Sequence, residues 1–509
     1  MKSRVVILHN IHVVFNFLGS TFLVLSGILL IPLLVAILTG EIEDIQIVKA
    51  FVYPAGLSLT AGITLRGVFR GGSISPVQAL FICTLGWLGF SAVGGIPFVI
   101  AVDHSYIDSV FEAMSGFTTT GMTLFTGLDA LPRTILFWRS FTQFLGGLGI
   151  LTFFLAITYQ GESYHRLFGA ESHKIDVRRP VPGLANTVSI LWSIYTGLTI
   201  CIALALMAAG MSPFDSVCHS FTTLSTGGFS PHDASIGYYA MIHHPHSVLI
   251  EYILIFGMIL GGINFLVHYR VLKKDVKALW DNVEMKYWWG FILLFCGIIL
   301  AERMHAVSFT ELEGLGSIEE HLRKVLFQVT AIITTTGFST VDIGSSFFGE
   351  VARQLFLVLM VVGGCVGSTG GGFKVLRVAI LRNLIGREVF RLRTPRPAIS
   401  SVVIDGKPVG IDEIQRVGGL FFAWIILIVV GGVITAFLSG LSGYESFSGM
   451  FSAMGNVGPS FISVQAMASF SPILKVVYIG AMLAGRLEIL PVLLLLSPRA
   501  WSSKGIMRR

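Results

Sequence analysis

The chain has 509 residues, 53% of them hydrophobic and only 13% charged, about half the charge of an ordinary soluble domain. The net charge of +6 does not argue for a nucleic-acid partner, because the basic residues follow apolar runs, where membrane orientation accounts for them. Five scattered cysteines, Cys83, Cys201, Cys218, Cys296 and Cys365, form neither a CxxC pair nor a metal-ligand spacing, which leaves packed thiols.

A bilayer core takes about 20 apolar residues per helical span. In chain order the candidate runs are 13–39, 51–65, 76–102, 134–159, 187–210, 247–267, 287–301, 353–380, 415–439 and 473–496. They predict an all-α polytopic protein. The first run is too long for a signal-peptide core and lacks a small-residue cleavage site, so it reads as a retained span. Basic clusters at Arg66/Arg70, Arg166/Lys174/Arg178/Arg179, Arg270/Lys273/Lys274/Lys277, 374–396 and Arg499/Lys504/Arg508/Arg509 alternate with acidic connections. The acidic connections hold Glu41/Glu43/Asp44, Asp103/Asp108, Asp215, Glu311/Glu313/Glu319/Glu320 and Glu445. The positive-inside rule then predicts cytoplasmic termini and outward acidic loops.

Between the runs, one pattern occurs four times. "DSVFEAMSGFTTTG" (108–121), "DSVCHSFTTLSTGG" (215–228), "KVLFQVTAIITTTG" (324–337) and "ESFSGMFSAMGNVG" (445–458) each end in a small or polar tetrapeptide closed by glycine. A second small pair follows each: Gly146-Gly147, Gly261-Gly262, Gly363-Gly364 and Ala484-Gly485, the second repeat carrying an insertion around "GYYAMIHHPH" (237–246). Such self-similarity marks a repeated structural unit. The segment before each glycine is about 13 residues, or about 20 Å of helix, too short to cross a core of about 30 Å. Asp108, Asp215 and Glu445 suit a helix N-terminus, whereas the third repeat has Lys324 there.

A half-crossing helix must lie against protein or water, and four can share an axis. An extended tetrapeptide leaving each helix presents backbone carbonyls that replace a cation's water shell, and glycine opens backbone angles closed to other residues. The candidate ring residues are Thr119, Thr120, Gly121, Thr226, Gly227, Gly228, Thr335, Thr336, Gly337, Asn456, Val457 and Gly458. The alternative for any one of them is a packing glycine between spans. Four in register, each after a short segment, favour the ring.

The four loops, "GGCVGSTGGGFKVLR" (363–377) and "AGRLE" (484–488) resemble the TrkH/KtrB family of potassium transporters, which includes the plant HKT proteins. The resemblance spans 75–497 and implies four membrane–pore–membrane repeats folded like potassium-channel subunits. The corresponding division is 1–70, a two-span region like that of the TrkH branch; 71–180, repeat 1; 181–280, repeat 2; 281–400, repeat 3 with a broken second span; and 401–509, repeat 4. Relatives with serine at the first filter position prefer sodium, so Gly121 implies potassium as the transported ion. The fourth loop departs from the threonine pattern, and its ring cannot be symmetric. The resemblance further implies a homodimer and a cytosolic nucleotide-binding ring partner of the TrkA/KtrA type, for which 374–396 is the candidate contact. Anionic lipid heads are an alternative partner for that basic stretch.

The glycine-dense run 363–374 is a poor helix. A nucleotide-binding P-loop is excluded by Phe373, which stands where lysine is required. A break between half-helices fits better, and the resemblance implies a mobile gate built on Gly367, Gly370, Gly371, Gly372 and Lys374. Arg486 lies inside the last apolar run, where a charge is costly and faces a cavity or partner. It either glues helices through Glu488 or a carbonyl, or, as the resemblance implies, is a fixed positive charge in the gate below the filter. "HHPH" (243–246) reads as a solvated loop, and Asp342 either attracts cations or caps a turn.

Three whole-protein readings follow. The first is potassium uptake across the plasma membrane, for example a bacterial inner membrane, either as a gated pore or coupled to sodium or protons as a symporter. The second is a membrane enzyme, which lacks a catalytic constellation within the spans. The third is a non-transporting scaffold, which leaves four like loops unexplained. No organic cofactor is implied.

Overall fold

Helices carry nearly all of the chain in the structure, a computed structural model describing residues 2–72, 74–159, 184–306, 315–393, 400–497 and 500–501. Arg166, Lys174, Arg178, Arg179, Glu311, Glu313, Arg396, Arg499, Lys504, Arg508 and Arg509 lie outside the described residues. Among the described residues six helices are long and apolar enough to cross a membrane: Ile11–Thr39, Ile45–Val68, Val77–Val102, Asn186–Ala208, Val283–Ala306 and Ile411–Ser439. Leu38, Leu293, Phe422 and Phe437 are largely exposed on their flanks. A surface this apolar suits lipid rather than water.

Three of the four remaining expected spans are interrupted. Ser247–Gly262 turns through 104° into Phe265–Leu272, so the run 247–267 is not one straight helix. Ile263 is extended there, and the Asn264 side chain caps the new helix by accepting from Leu266 N at 2.8 Å. Glu350–Val362 and Val375–Arg393 are separated by the glycine-dense run, and Pro472–Arg486 ends before Leu490–Leu496. Arg133–Tyr159 is continuous but buries Arg139 within it.

Among the described residues, four helices lead into the glycine-closed loops: Tyr106–Phe117, Pro213–Leu224, Leu315–Ile333 and Gly443–Gly455. Three begin at a serine, Ser105, Ser212 or Ser442, whose hydroxyl accepts from the backbone N of Asp108, Asp215 or Glu445. Ser442 and Glu445 complete a capping box, which satisfies otherwise orphaned donors. The third helix is longer than its segment suggested. Lys324 lies in mid-helix, paired with Glu320 one turn earlier.

The two N-terminal helices pack along each other. Glu41, in the turn after the first, accepts from Arg133 N at 2.7 Å and Thr134 N at 2.9 Å, capping the span that follows the first short helix. The sheet among the described residues is a hairpin, Val403–Ile404 with Lys407–Pro408. It turns at Asp405-Gly406, both at positive φ, as a tight hairpin requires.

Candidate ion pathway and gate

The chain leaves each short helix in the same backbone conformation. Thr119, Thr226, Thr335 and Asn456 have φ of 51°, 54°, 60° and 53°, and two residues later Gly121, Gly228, Gly337 and Gly458 have φ of 79°, 79°, 79° and 105°. A left-handed backbone at a non-glycine residue costs of order 1–3 kcal/mol and persists only where its surroundings over-determine it. Here the helix ends do so. Thr120 N donates to Ser115 O at 2.8 Å, Gly227 N to Thr222 O at 2.8 Å, Thr336 N to Ala331 O at 2.9 Å and Val457 N to Ser452 O at 3.0 Å. Asparagine enters the left-handed region more readily than threonine, so "GNVG" keeps the shape at lower strain.

The four glycines form a closed ring. A Cβ on Gly121 would strike the carbonyl oxygen of Gly227, one on Gly228 that of Thr336, and one on Gly337 that of Val457. On Gly458 it would lie 2.8 Å from Thr120 O, which closes the circle more loosely. Thr120, Gly227, Thr336 and Val457 therefore occupy equivalent places, each carbonyl against a neighbour's glycine. The same four glycines line one cavity, together with Arg139, His232, Asp233 and Asp342. Asp342 also caps a turn by accepting from Gly344 N at 2.6 Å.

Side chains brace the ring from behind. The hydroxyls of Thr118 and Thr120 lie 2.7 Å apart, and those of Thr334 and Thr336 2.8 Å apart. Asn456 Nδ2 donates to Thr120 Oγ1 at 2.9 Å and to Met482 O at 2.8 Å. Gln143, from Arg133–Tyr159, donates to Gly227 O at 2.7 Å and accepts from Phe229 N at 3.0 Å. Glu112, on the first short helix, accepts from Arg139 Nε at 2.9 Å, Thr123 Oγ1 at 2.8 Å and Leu124 N at 3.1 Å, and Arg139 reaches on to Ser230 O at 3.1 Å. Gln143, Glu112 and Arg139 escaped the sequence reading. The signal was there: polar side chains inside apolar helices survive only when paired.

Beside the cavity, His232 Nδ1 lies 2.5 Å from Asp129 Oδ1 and its Nε2 3.6 Å from Asp215. Burial lowers its pKa, but the two carboxylates outweigh that, and the net shift is upward from 6.5. His243, His244 and His246 lie elsewhere, with His244 Nε2 3.3 Å from Gly210 O. No His/Cys/Asp/Glu group fit to hold a metal occurs among the described residues.

On the other side of the ring, residues 363–374 form an irregular, buried loop. Gly363, Gly367, Gly372 and Lys374 have φ of 69°, 70°, 80° and 83°. The loop touches the ring directly: Gly371 N donates to Thr335 Oγ1 at 2.6 Å, and the Thr369 hydroxyl lies 3.4 Å from that of Thr226. Thr369 Oγ1 is also 2.7 Å from Leu224 O and 3.0 Å from Gly261 O. Lys374 Nζ donates to Gly370 O at 2.5 Å, and Phe265 N donates to Gly367 O at 3.1 Å.

Arg486 is 3% exposed and donates to Thr369 O at 2.7 Å and Gly146 O at 3.3 Å. Its partners are thus carbonyls, one of them in the loop. Glu488 turns instead to Arg377, 2.6 Å away, because Glu488 and Ile489, at φ of 62° and 66°, reverse the chain after Arg486. Thr369, the residue that joins loop, ring and arginine, carries no sequence signal beyond its place in the run.

The fold and this site define a polytopic all-α membrane protein in which four like loops close one ring of glycines and carbonyls. Residues 86–504 match the TrkH family model, described as a cation transport protein. The chain is 31% identical over 500 residues to a Trk system potassium uptake protein TrkH of Salmonella typhimurium, covering 95% of this chain and 98% of that protein. It is 34% identical to one of Vibrio parahaemolyticus, over 84% of this chain and 86% of that protein. The crystal structure of the potassium transporter TrkH from Vibrio parahaemolyticus superposes with a TM-score of 0.84 at 31% identity, covering 96% of this chain and 99% of that one. The chain belongs to the TrkH family of cation transport proteins.

Proposed function

We propose that this chain carries potassium into the cell across the plasma membrane. In this reading the filter consists of Thr119, Thr120, Gly121, Thr226, Gly227, Gly228, Thr335, Thr336, Gly337, Asn456, Val457 and Gly458. The gate consists of Gly367, Gly370, Gly371, Gly372, Lys374 and Arg486. The observation that carries it is the closed ring in which each glycine abuts the next repeat's carbonyl oxygen, since such oxygens replace the lost water of an alkali cation. The relatives' names, potassium uptake proteins, support potassium as the cargo. Arg486 binds the loop to the far wall and places on the pathway a positive charge that meets carbonyls rather than a carboxylate among the described residues, so the loop must leave before ions pass.

The proposal extends to the repeat boundaries at 71–180, 181–280, 281–400 and 401–509, and to cytoplasmic termini. It also extends to a homodimer and to a nucleotide-binding ring partner at the basic helix Val375–Arg393; the relatives' "Trk system" names support further components of some kind. The test is growth of uptake-deficient cells on limiting potassium, with flux into liposomes as the direct measure. Rescue and potassium flux are expected. Folded protein that moves no potassium overturns the reading.

A further inference from the structure

We infer that Gln143 is a positioning residue of the filter: its carboxamide takes the place of a missing threonine side chain in the second repeat and fixes one of the four ring carbonyls. The inference rests on the potassium-filter reading and adds to it a residue outside the filter loops.

The first and third loops carry threonine at the ring position, Thr120 and Thr336, and each pairs its hydroxyl with the threonine two residues earlier, Thr118 or Thr334. The second loop has Ser225 and Gly227 at those places. Gly227 is not among the positive-φ residues, so its backbone does not demand glycine. What demands it is Gln143, whose Cδ and Oε1 occupy the space where a Cβ would go. The glutamine and the glycine are therefore one arrangement.

Gln143 is fully buried and makes two bonds that straddle Gly228, one to the carbonyl before it and one to the backbone N after it. A carboxamide clamped at both ends leaves the Gly227 carbonyl little freedom to turn. Among the described residues no protein donor reaches the carbonyl oxygens of Thr120, Thr336 or Val457. The second repeat is thus held by a mechanism of its own, supplied by the second span of the first repeat.

The experiment measures potassium and sodium fluxes separately in liposomes containing purified, monodisperse protein. Gln143→Leu removes both bonds at similar volume. The potassium-to-sodium flux ratio is expected to fall about five- to tenfold, the scale of one buried hydrogen bond, because of the two bonds lost only that to the Gly227 carbonyl bears on the ring. An unchanged ratio in folded protein overturns the inference. Gly227→Thr alone should be damaging because the new side chain meets Gln143, and a wild-type ratio there overturns it too. The double variant Gln143→Ala/Gly227→Thr restores the threonine pattern beside Ser225 and is expected to return the ratio to within about twofold of wild type. A double variant no better than Gln143→Ala overturns the inference, and this arm stands even where Gln143→Leu fails to fold. Absence of potassium flux in the wild-type protein is a different result and sinks the functional proposal itself.

Discussion

At Gly337 the backbone is left-handed and the Val457 carbonyl occupies the space of a β-carbon, so any side chain there pays twice, in strain and in collision. Gly458 is also at positive φ, 105°, but there the same carbon would sit 2.8 Å from Thr120 O, a milder collision. Gly337→Ala should therefore abolish uptake, while Gly458→Ala retains a measurable remainder, as rubidium uptake into cells will register. In the proposed gate, Arg486 acts by charge and by grip. Arg486→Ala removes the two bonds to Thr369 O and Gly146 O together with a cation on the pathway. A unit charge at about 4 Å is worth ~1–4 kcal/mol between bulk water and a protein surface, so flux should rise about tenfold or more. Unchanged or lower flux in well-folded protein would count against the gate. Both positions were legible in the sequence, because glycine in a repeated loop and arginine in an apolar run are costly unless used. Thr369 was not, since its partners lie far away along the chain.

Among the elements, short helices and loops are tied by buried ion pairs. Glu112 and Arg139 are 0% and 1% exposed, and removing one partner of such a pair costs about 3–5 kcal/mol. Glu112→Gln should lower the thermal midpoint in detergent clearly. Glu320→Gln, which removes the half-exposed partner of Lys324, should cost under about 1 kcal/mol. His232 links the loop after the second ring segment to Asp129 and Asp215. Its folded pKa is raised, so the stabilisation is complete below its ordinary 6.5 and is lost as pH rises through the folded value. Thermal midpoints measured upward from pH 6.5 should fall in the wild-type protein and fall less in His232→Gln. Parallel curves would dismiss the link. The caps at Ser105, Ser212 and Ser442 were written in the sequence as serine three residues before an acid, though the acid drew attention first.

For the whole molecule, the repeats are not separate bodies. One core joins Phe111, Met114 and Trp138 of the proposed first repeat to Trp424, Met450 and Tyr478 of the proposed fourth, and includes Leu25 and Phe51 of the N-terminal helices. A chain stopped after residue 400 loses one side of that core and one quarter of the ring. Size-exclusion chromatography of such a truncation should yield no monodisperse protein, and cells carrying it should show no rescue. The third short helix and the bend after Gly262 differ from the sequence reading for the same reason. Where a helix starts or turns inside a crowded bundle is settled by neighbours such as Trp288, which fills the space beside Gly262.

The sequence by itself determined the membrane class, the four-fold repetition and the loops that close the ring. Those depend on apolar run length, on glycine's backbone freedom and on main-chain carbonyls, all local properties. Tertiary structure alone decided that Arg486 grips Thr369 while Glu488 turns to Arg377, that Gln143 fills the place opened by Gly227, and that Glu112 meets Arg139. Each of these is a contact between polar groups distant in the chain, and burial forces such groups to find partners without the local sequence naming them.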